Sequence, residues 1–114
     1  MNLAEYQSLA NRTAKQINFT MDLAHAEMGL NGEAGEFSDA VKKHIIYGQP
    51  MDFANAREEL GDILWYCALA ANVLGFSLET VARMNIEKLA ERYPEQYTDY
   101  HAKVRLDKEG GNDE

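Results

Sequence analysis

The chain has 114 residues, enough for one domain with a small hydrophobic core and too few for two domains of ordinary size. Its formal net charge of -8 argues against a nucleic-acid-binding protein, which needs a field of Lys and Arg, and no stretch is apolar for the roughly 20 residues that span a bilayer. The single cysteine cannot form an internal disulfide, and the start MNLAEYQS carries no basic and apolar leader, so we expect a cytoplasmic protein outside the membrane.

The first half of the chain predicts two helices joined to the rest by a turn. Residues 2–16 form the first predicted helix, and residues 17–20, INFT, are ambiguous. A second helix is expected over residues 21–46, because its apolar positions keep the spacing of one helix face. The segment YGQP at 47–50 is typical of a turn, which makes the second helix and the one after it antiparallel neighbours.

Two further helices are predicted in the second half. The third begins after Asp52, a suitable N-cap, and ends at Leu74, where Gly75 is placed to terminate it. Ser77 caps a fourth helix that ends at Tyr93, because a proline disfavours helix in the residue before it. Strand signals are nearly absent, so the predicted fold class is all-α, a bundle of four to five helices.

The predicted domain covers residues 1–106, and the polar residues 107–114 are expected to form a disordered tail. Between Ile63 and Leu74 the only strongly polar residue is Asn72, for which we expect a hydrogen bond across a helix interface. A four-helix monomer covers only part of so apolar a helix. We therefore expect oligomerisation to complete the bundle.

Two acidic pairs with the same spacing carry the candidate chemistry. Glu33 and Glu36 lie three residues apart on the second helix, and Glu59 and Asp62 repeat that spacing on the third. Side chains three apart lie on the same side of a helix, so pairing the two helices brings four carboxylates together. A single pair of this kind is usually a solvated helix face. Two pairs beside apolar stripes on neighbouring helices favour a shared site.

We expect these four carboxylates to be buried, and four buried carboxylates need either protonation or a divalent cation to offset their repulsion. A set of oxygen ligands suits Mg²⁺ or Mn²⁺. Di-iron bundles use Glu-x-x-His pairs, and no His follows a Glu by three here. Gly29, Gly32 and Gly35 recur every third residue in the second helix, at a cost of about 1 kcal/mol each against alanine. Close approach of a helix or a ligand to the backbone would offset that cost.

These residues resemble the MazG-like, all-α nucleoside triphosphate pyrophosphohydrolases. The family pattern E-x-x-E followed by E-x-x-D matches Glu33-Ala-Gly-Glu36 and Glu59-Leu-Gly-Asp62, with no departure at the four acidic positions. Three blocks are similar to the family's blocks, in the same order: HAEMGLNGEAGE (25–36), EELGDILWY (58–66) and NIEKLAERYP (85–94). Together they cover most of residues 23–94.

The resemblance implies Mg²⁺-dependent hydrolysis of a nucleoside triphosphate between the α and β phosphates, with the monophosphate and pyrophosphate as products. Glu33, Glu36, Glu59 and Asp62 would hold the metal, and one of them would also act as base toward the attacking water. The family members are commonly dimers or tetramers, so a homodimer or homotetramer is expected.

Asn85, Lys88 and Arg92 lie on one face of the fourth helix, a spacing that suits the polyphosphate of the substrate. An ordinary solvated face is the alternative for these three.

For the nucleoside end, the resemblance suggests His25 as a wall of the base pocket, although an ordinary surface or core histidine is an equal alternative. Tyr66 follows Asp62 by four on the same face and could stack on the base or the sugar. Tyr6 and Arg12 could close over the site from the first helix.

Two other functions stay open from the sequence. Phosphoribosyl-ATP pyrophosphohydrolase shares the architecture, and the residues around the base would decide between the two substrates. The other alternative is a non-catalytic helical regulatory module that binds a metal or a nucleotide without turnover.

Overall fold

Five α-helices and no strand occur in residues 1–93 and 98–105, the part of the chain that the computed structural model describes. They are α1 (Leu3–Asn11), α2 (Phe19–Ile45), α3 (Phe53–Leu74), α4 (Leu78–Arg92) and α5 (Asp99–Val104). The predicted all-α class is confirmed. The predicted tail over residues 107–114 lies outside the described residues.

The chain divides into two compact units, Met1–Leu78 and Glu79–Glu114. The first unit contains α1, α2 and α3, and the second contains all but the first residue of α4, together with α5. The single domain over residues 1–106 stays a prediction.

The first helix is shorter than predicted, because it ends at Asn11 and not at residue 16. Its start is fixed by a capping box, in which the Asn2 side chain accepts from the Glu5 N–H and the Glu5 carboxylate accepts from the Asn2 N–H, both at 2.8 Å. At the other end, the Thr13 hydroxyl donates to the Ala10 carbonyl at 3.2 Å. This local side-chain bond competes with continuation of the helix.

The ends of α2 and α3 follow from single capping residues. Asn18 caps α2 by accepting from the Met21 N–H at 2.9 Å, so this helix begins two residues earlier than predicted. Asp52 accepts from the Asn55 N–H at 3.0 Å, and Gly75 ends α3 in the left-handed conformation with φ 79°. The predicted bounds of α3 are confirmed.

Helices α2 and α3 are antiparallel, because Gly29 meets Tyr66 while the later residue Glu33 meets the earlier residue Glu59. Small residues of α2 are buried in this packing, namely Ala26 and Ala40. Close packing of this kind brings polar side chains at the edge of the seam within reach of each other.

Helix α1 packs against the C-terminal half of α3. Ala10 on α1 joins Ala68, Ala71 and Leu78 in a buried cluster, and the half-buried Trp65 of α3 packs against it. No single helix among the described residues is long and apolar enough to cross a membrane, although α3 and α4 taken together pass by length and composition alone.

Side-chain hydrogen bonds of Gln7 join α1 to the last turn of α3 and to the residues that follow it. The Gln7 amide nitrogen donates to the Asn72 side-chain oxygen and to the Phe76 carbonyl, both at 2.8 Å, and its amide oxygen accepts from the Leu78 N–H at 2.8 Å. The Asn72 amide donates back to the Gln7 carbonyl at 3.3 Å. The hydrogen bond expected for Asn72 across a helix interface is confirmed.

Candidate active site

Three acidic side chains meet at the edge of the seam between α2 and α3. Glu33 on α2 and Glu59 and Asp62 on α3 each offer one carboxylate oxygen, and these oxygens all lie within 4.8 Å of one another. We call these three residues the acidic cluster. Oxygen atoms at this mutual distance form a donor set that fits a hard divalent cation.

Glu36, the fourth predicted residue, lies one turn further along α2 and is outside the cluster by that distance. Its charge nevertheless reaches Glu59 and is one of the causes that raise the pKa of Glu59. The structure therefore brings three of the four predicted carboxylates into one group and places the fourth beside it. Their roles stay a prediction.

The electrostatics of the cluster centre on Glu59. Partial burial of the carboxylate is the first cause that raises the pKa of Glu59 above its ordinary value, and the interaction with the Glu33 carboxyl group is the second. Repulsion by Glu33, Glu36 and Asp62 adds to this shift. All of these causes disfavour the ionised form of Glu59. A bound cation would meet the same need for positive charge.

The expectation that all four carboxylates are buried is wrong. Glu36 and Asp62 are exposed, and Glu33 and Glu59 are half-buried. The physical reason is that the cluster lies at the edge of the seam, where water still reaches the oxygens and lowers the cost of unpaired charge. This position also leaves the cluster open to a ligand from solvent.

Next to the cluster, Tyr66 stands one turn after Asp62 on α3. Its ring lies edge-on to the His25 ring with centroids 5.7 Å apart, and edge-on to the Trp65 ring at 5.0 Å. His25 is exposed and lines a groove of about 290 Å³ with Lys15, Ile17, Met21 and Asp22. The two residues predicted at the nucleoside end are therefore neighbours, and Tyr66 is close to the acidic cluster.

Tyr6 on α1 is electrostatically coupled to one member of the acidic cluster. The pKa of its phenol is raised, first by partial burial and then by the nearby Asp62 carboxylate and Cys67 thiol. Of the pair Tyr6 and Arg12, the structure thus places Tyr6 near an acidic residue, whereas Arg12 is an exposed residue that follows the last residue of α1.

Gly29, Gly32 and Gly35 are evenly spaced on α2, but their surroundings differ. A Cβ atom on Gly29 would overlap the Tyr66 ring, whereas a Cβ on Gly32 or Gly35 would meet nothing within 4 Å. The sequence signalled close approach at all three positions, and the structure shows it at Gly29. The groove residues Lys15 and Asp22 carried no signal in the sequence.

Asn85, Lys88 and Arg92 all lie on α4, at the spacing of one helix face. Asn85 and Lys88 are exposed, and the Arg92 guanidinium lies 5.9 Å from the centre of the Tyr93 ring. They belong to the unit that begins at Glu79, and their contact with a substrate held at the acidic cluster stays a prediction.

The raised pKa of Glu59 predicts a pH-dependent effect of Glu59→Gln on the metal-free protein. A carboxylate with a raised folded-state pKa stabilises the fold below its unfolded-state pKa, and this contribution is lost as pH rises through the folded-state value. At pH 7 without metal, the variant should melt at a higher temperature than the wild type, and the gain should vanish near pH 4. Thermal unfolding followed by circular dichroism measures this.

The matched control is Glu58→Gln, which removes one charge from an exposed neighbour outside the cluster. An equal gain from both variants would mean that net charge alone, and not the cluster, sets the effect.

Comparison with known proteins places these residues in a family. The family described as the MazG nucleotide pyrophosphohydrolase domain matches residues 22–97, which is well over half of the chain. The Gene 37 protein of Mycobacterium phage L5 is 42% identical over 76 residues, which cover 61% of this chain and 65% of the phage protein, so the match spans less than two thirds of that relative. No solved structure matches. The matched region contains both acidic pairs in full, and the chain therefore belongs to the MazG nucleotide pyrophosphohydrolase family.

Proposed function

We propose that the protein is a Mg²⁺-dependent nucleotide pyrophosphohydrolase, which cleaves a nucleoside or deoxynucleoside triphosphate between the α and β phosphates to give the monophosphate and pyrophosphate. The observation that carries this proposal is the acidic cluster at the seam of α2 and α3, in a chain that belongs to the MazG family. The family supports the reaction class, and the cluster supports a place for the cation that the reaction needs.

The charges explain why a cation is needed. A triphosphate carries about four negative charges, and the acidic cluster on its own would repel it. Glu33, Glu59 and Asp62, with Glu36 beside them, would hold Mg²⁺, and Mn²⁺ suits the same oxygen donors. When bound, the ion neutralises phosphate charge and lowers the pKa of a coordinated water.

The carboxylates have a second task in this proposal. One of the four orients the attacking water and takes up its proton.

Contacts to the two ends of the substrate complete the site. Lys88 and Arg92, with Asn85 on the same face of α4, contact the polyphosphate, for which an Arg fork and a Lys ammonium are suited. His25 and Tyr66 face the nucleoside, supported by their edge-on ring contact and by the groove that His25 lines. Neither nucleic acid nor a membrane is a partner in this proposal.

A further copy of the chain is the proposed protein partner, in a homodimer or homotetramer. Phe53, Leu60 and Leu64 lie on one stripe of α3, and their exposed fractions are 73%, 53% and 41%. In addition, the buried core of the described residues consists mainly of alanines. Burial of the α3 stripe against another copy would supply apolar contact that the single chain does not make.

Removal of one metal-binding carboxylate should stop the reaction. We expect Asp62→Asn to lower kcat/KM by at least about a hundredfold, the scale of a lost transition-state contact, without loss of the helical circular dichroism signal. Pyrophosphate release is measured over a panel of triphosphates that includes phosphoribosyl-ATP. Glu58→Gln serves as the control and should keep the wild-type rate.

Full activity of Asp62→Asn would contradict the assignment of the cluster. A wild-type protein that binds nucleotides but releases no pyrophosphate from any of them would favour a non-catalytic module.

Loss of the Lys88 ammonium should weaken substrate binding more than it slows the chemical step. We expect Lys88→Ala to raise KM about tenfold, equivalent to about 1.4 kcal/mol, with little change in kcat. Arg83→Ala is the matched control, since Arg83 is a cation on the opposite face of α4. An unchanged KM in Lys88→Ala, or an equal rise in both variants, would remove Lys88 from the phosphate contacts.

The mass of the protein in solution tests the proposed partner. Light scattering after size exclusion should give two or four times the chain mass of 12.9 kDa. Leu60→Lys should lower that mass, because a charge on the α3 stripe opposes its burial, while Glu58→Lys should not. A wild-type monomer at micromolar concentration would contradict the proposal.

A further inference from the structure

The Tyr66 ring rests directly on the backbone of α2 at Gly29. A Cβ atom built on Gly29 would overlap three atoms of the ring, namely Cε1, Cζ and Cδ1. No L-residue with a side chain fits here unless the ring moves. Gly29 therefore decides where Tyr66 can lie.

Backbone conformation does not explain the glycine. Gly29 lies inside α2, where glycine is less favourable than alanine. Gly48 and Gly75 have positive φ, and Gly29 does not. The feature that sets Gly29 apart from Gly32 and Gly35 on the same helix is the contact with the ring.

The ring is held from more than one direction. His25 lies edge-on to it, with an interplanar angle of 81°, and Trp65 lies edge-on at 87°. Asp62 is one turn before Tyr66 on α3, about 6 Å along the helix axis. A ring pressed against Gly29 thus keeps a fixed position relative to the acidic cluster.

We propose that Gly29 is a positioning residue, which acts through Tyr66 on the nucleoside end of the substrate. This inference rests on the proposed function. With alanine at position 29, the added methyl group displaces the ring, and the contact between Tyr66 and the base or sugar is lost. The carboxylates stay in place, because the methyl group meets the ring and not the acidic cluster.

The first test compares Gly29→Ala with Gly35→Ala. A nucleoside contact that is equally strong in the ground state and the transition state changes KM and leaves kcat nearly unchanged. Gly29→Ala should therefore raise KM about tenfold, the scale of one lost base–aromatic contact, with kcat within about twofold of the wild type. Gly35→Ala, where the new methyl group meets nothing, should leave both constants unchanged.

The second test asks whether Tyr66 transmits the effect. With Tyr66→Ala there is no ring for the methyl group to displace, so Gly29→Ala should add nothing to the KM of that variant, as a double-mutant cycle measures. This double variant also keeps the test decisive if Gly29→Ala alone does not fold, because the missing ring leaves room for the methyl group. Near-ultraviolet circular dichroism of the adjoining Trp65 and Tyr66 rings should change in Gly29→Ala and not in Gly35→Ala.

Three results would overturn the inference: a KM for Gly29→Ala within twofold of the wild type, an equal KM penalty with and without the Tyr66 ring, or an equal effect of Gly35→Ala. If the wild type hydrolyses a triphosphate, each of these results contradicts the inference about Gly29 and leaves the proposed function unchanged. A wild type that hydrolyses no triphosphate overturns the proposed function and this inference together.

Discussion

Electrostatic repulsion among Glu33, Glu59 and Asp62 is the constraint on which the rest of this structure depends. Their oxygens lie within 4.8 Å of one another, and Glu33 and Asp62 are among the causes that raise the pKa of Glu59. Without a counter-charge the arrangement destabilises the folded state above the unfolded pKa of Glu59. The chain keeps the arrangement because packing elsewhere along α2 and α3 fixes the two helices, and because water at the edge of the seam screens the charges.

The residues that fix the helices are small or polar. Alanines at the seam allow close approach, Gly29 admits the Tyr66 ring, and Gln7 attaches α1 to the end of α3 through three side-chain hydrogen bonds. Two aromatic residues connect this packing with the acidic cluster, since Tyr66 follows Asp62 by one turn and the Asp62 carboxylate raises the pKa of Tyr6 on α1. Packing and the candidate chemistry therefore depend on the same part of the molecule.

Features that depend on neighbouring residues in the chain, such as helix ends and the spacing of side chains on one helix face, could be predicted from the sequence. Asp52 and Gly75 gave the bounds of α3, and the three-residue spacing of the acidic pairs predicted their approach. The end of α1 was mispredicted, because the Thr13 hydroxyl bonds back to Ala10, and composition does not show which hydroxyl will do so. Burial of the carboxylates was overestimated, since it depends on where the seam ends. Gly29, Gly32 and Gly35 look alike in the sequence, and only the tertiary contact of Gly29 separates them.

The central claim is that the acidic cluster binds a divalent cation. The most direct test is Mn²⁺ binding, measured as the loss of the free-ion signal in electron paramagnetic resonance. The account predicts that the wild-type protein lowers the free-ion signal at sub-millimolar Mn²⁺ beyond the loss that a non-hydrolysable triphosphate causes alone, and that Asp62→Asn binds the ion at least about tenfold more weakly. A free-ion signal that the wild-type protein leaves unchanged, with and without the triphosphate, would contradict a shared cation at the acidic cluster.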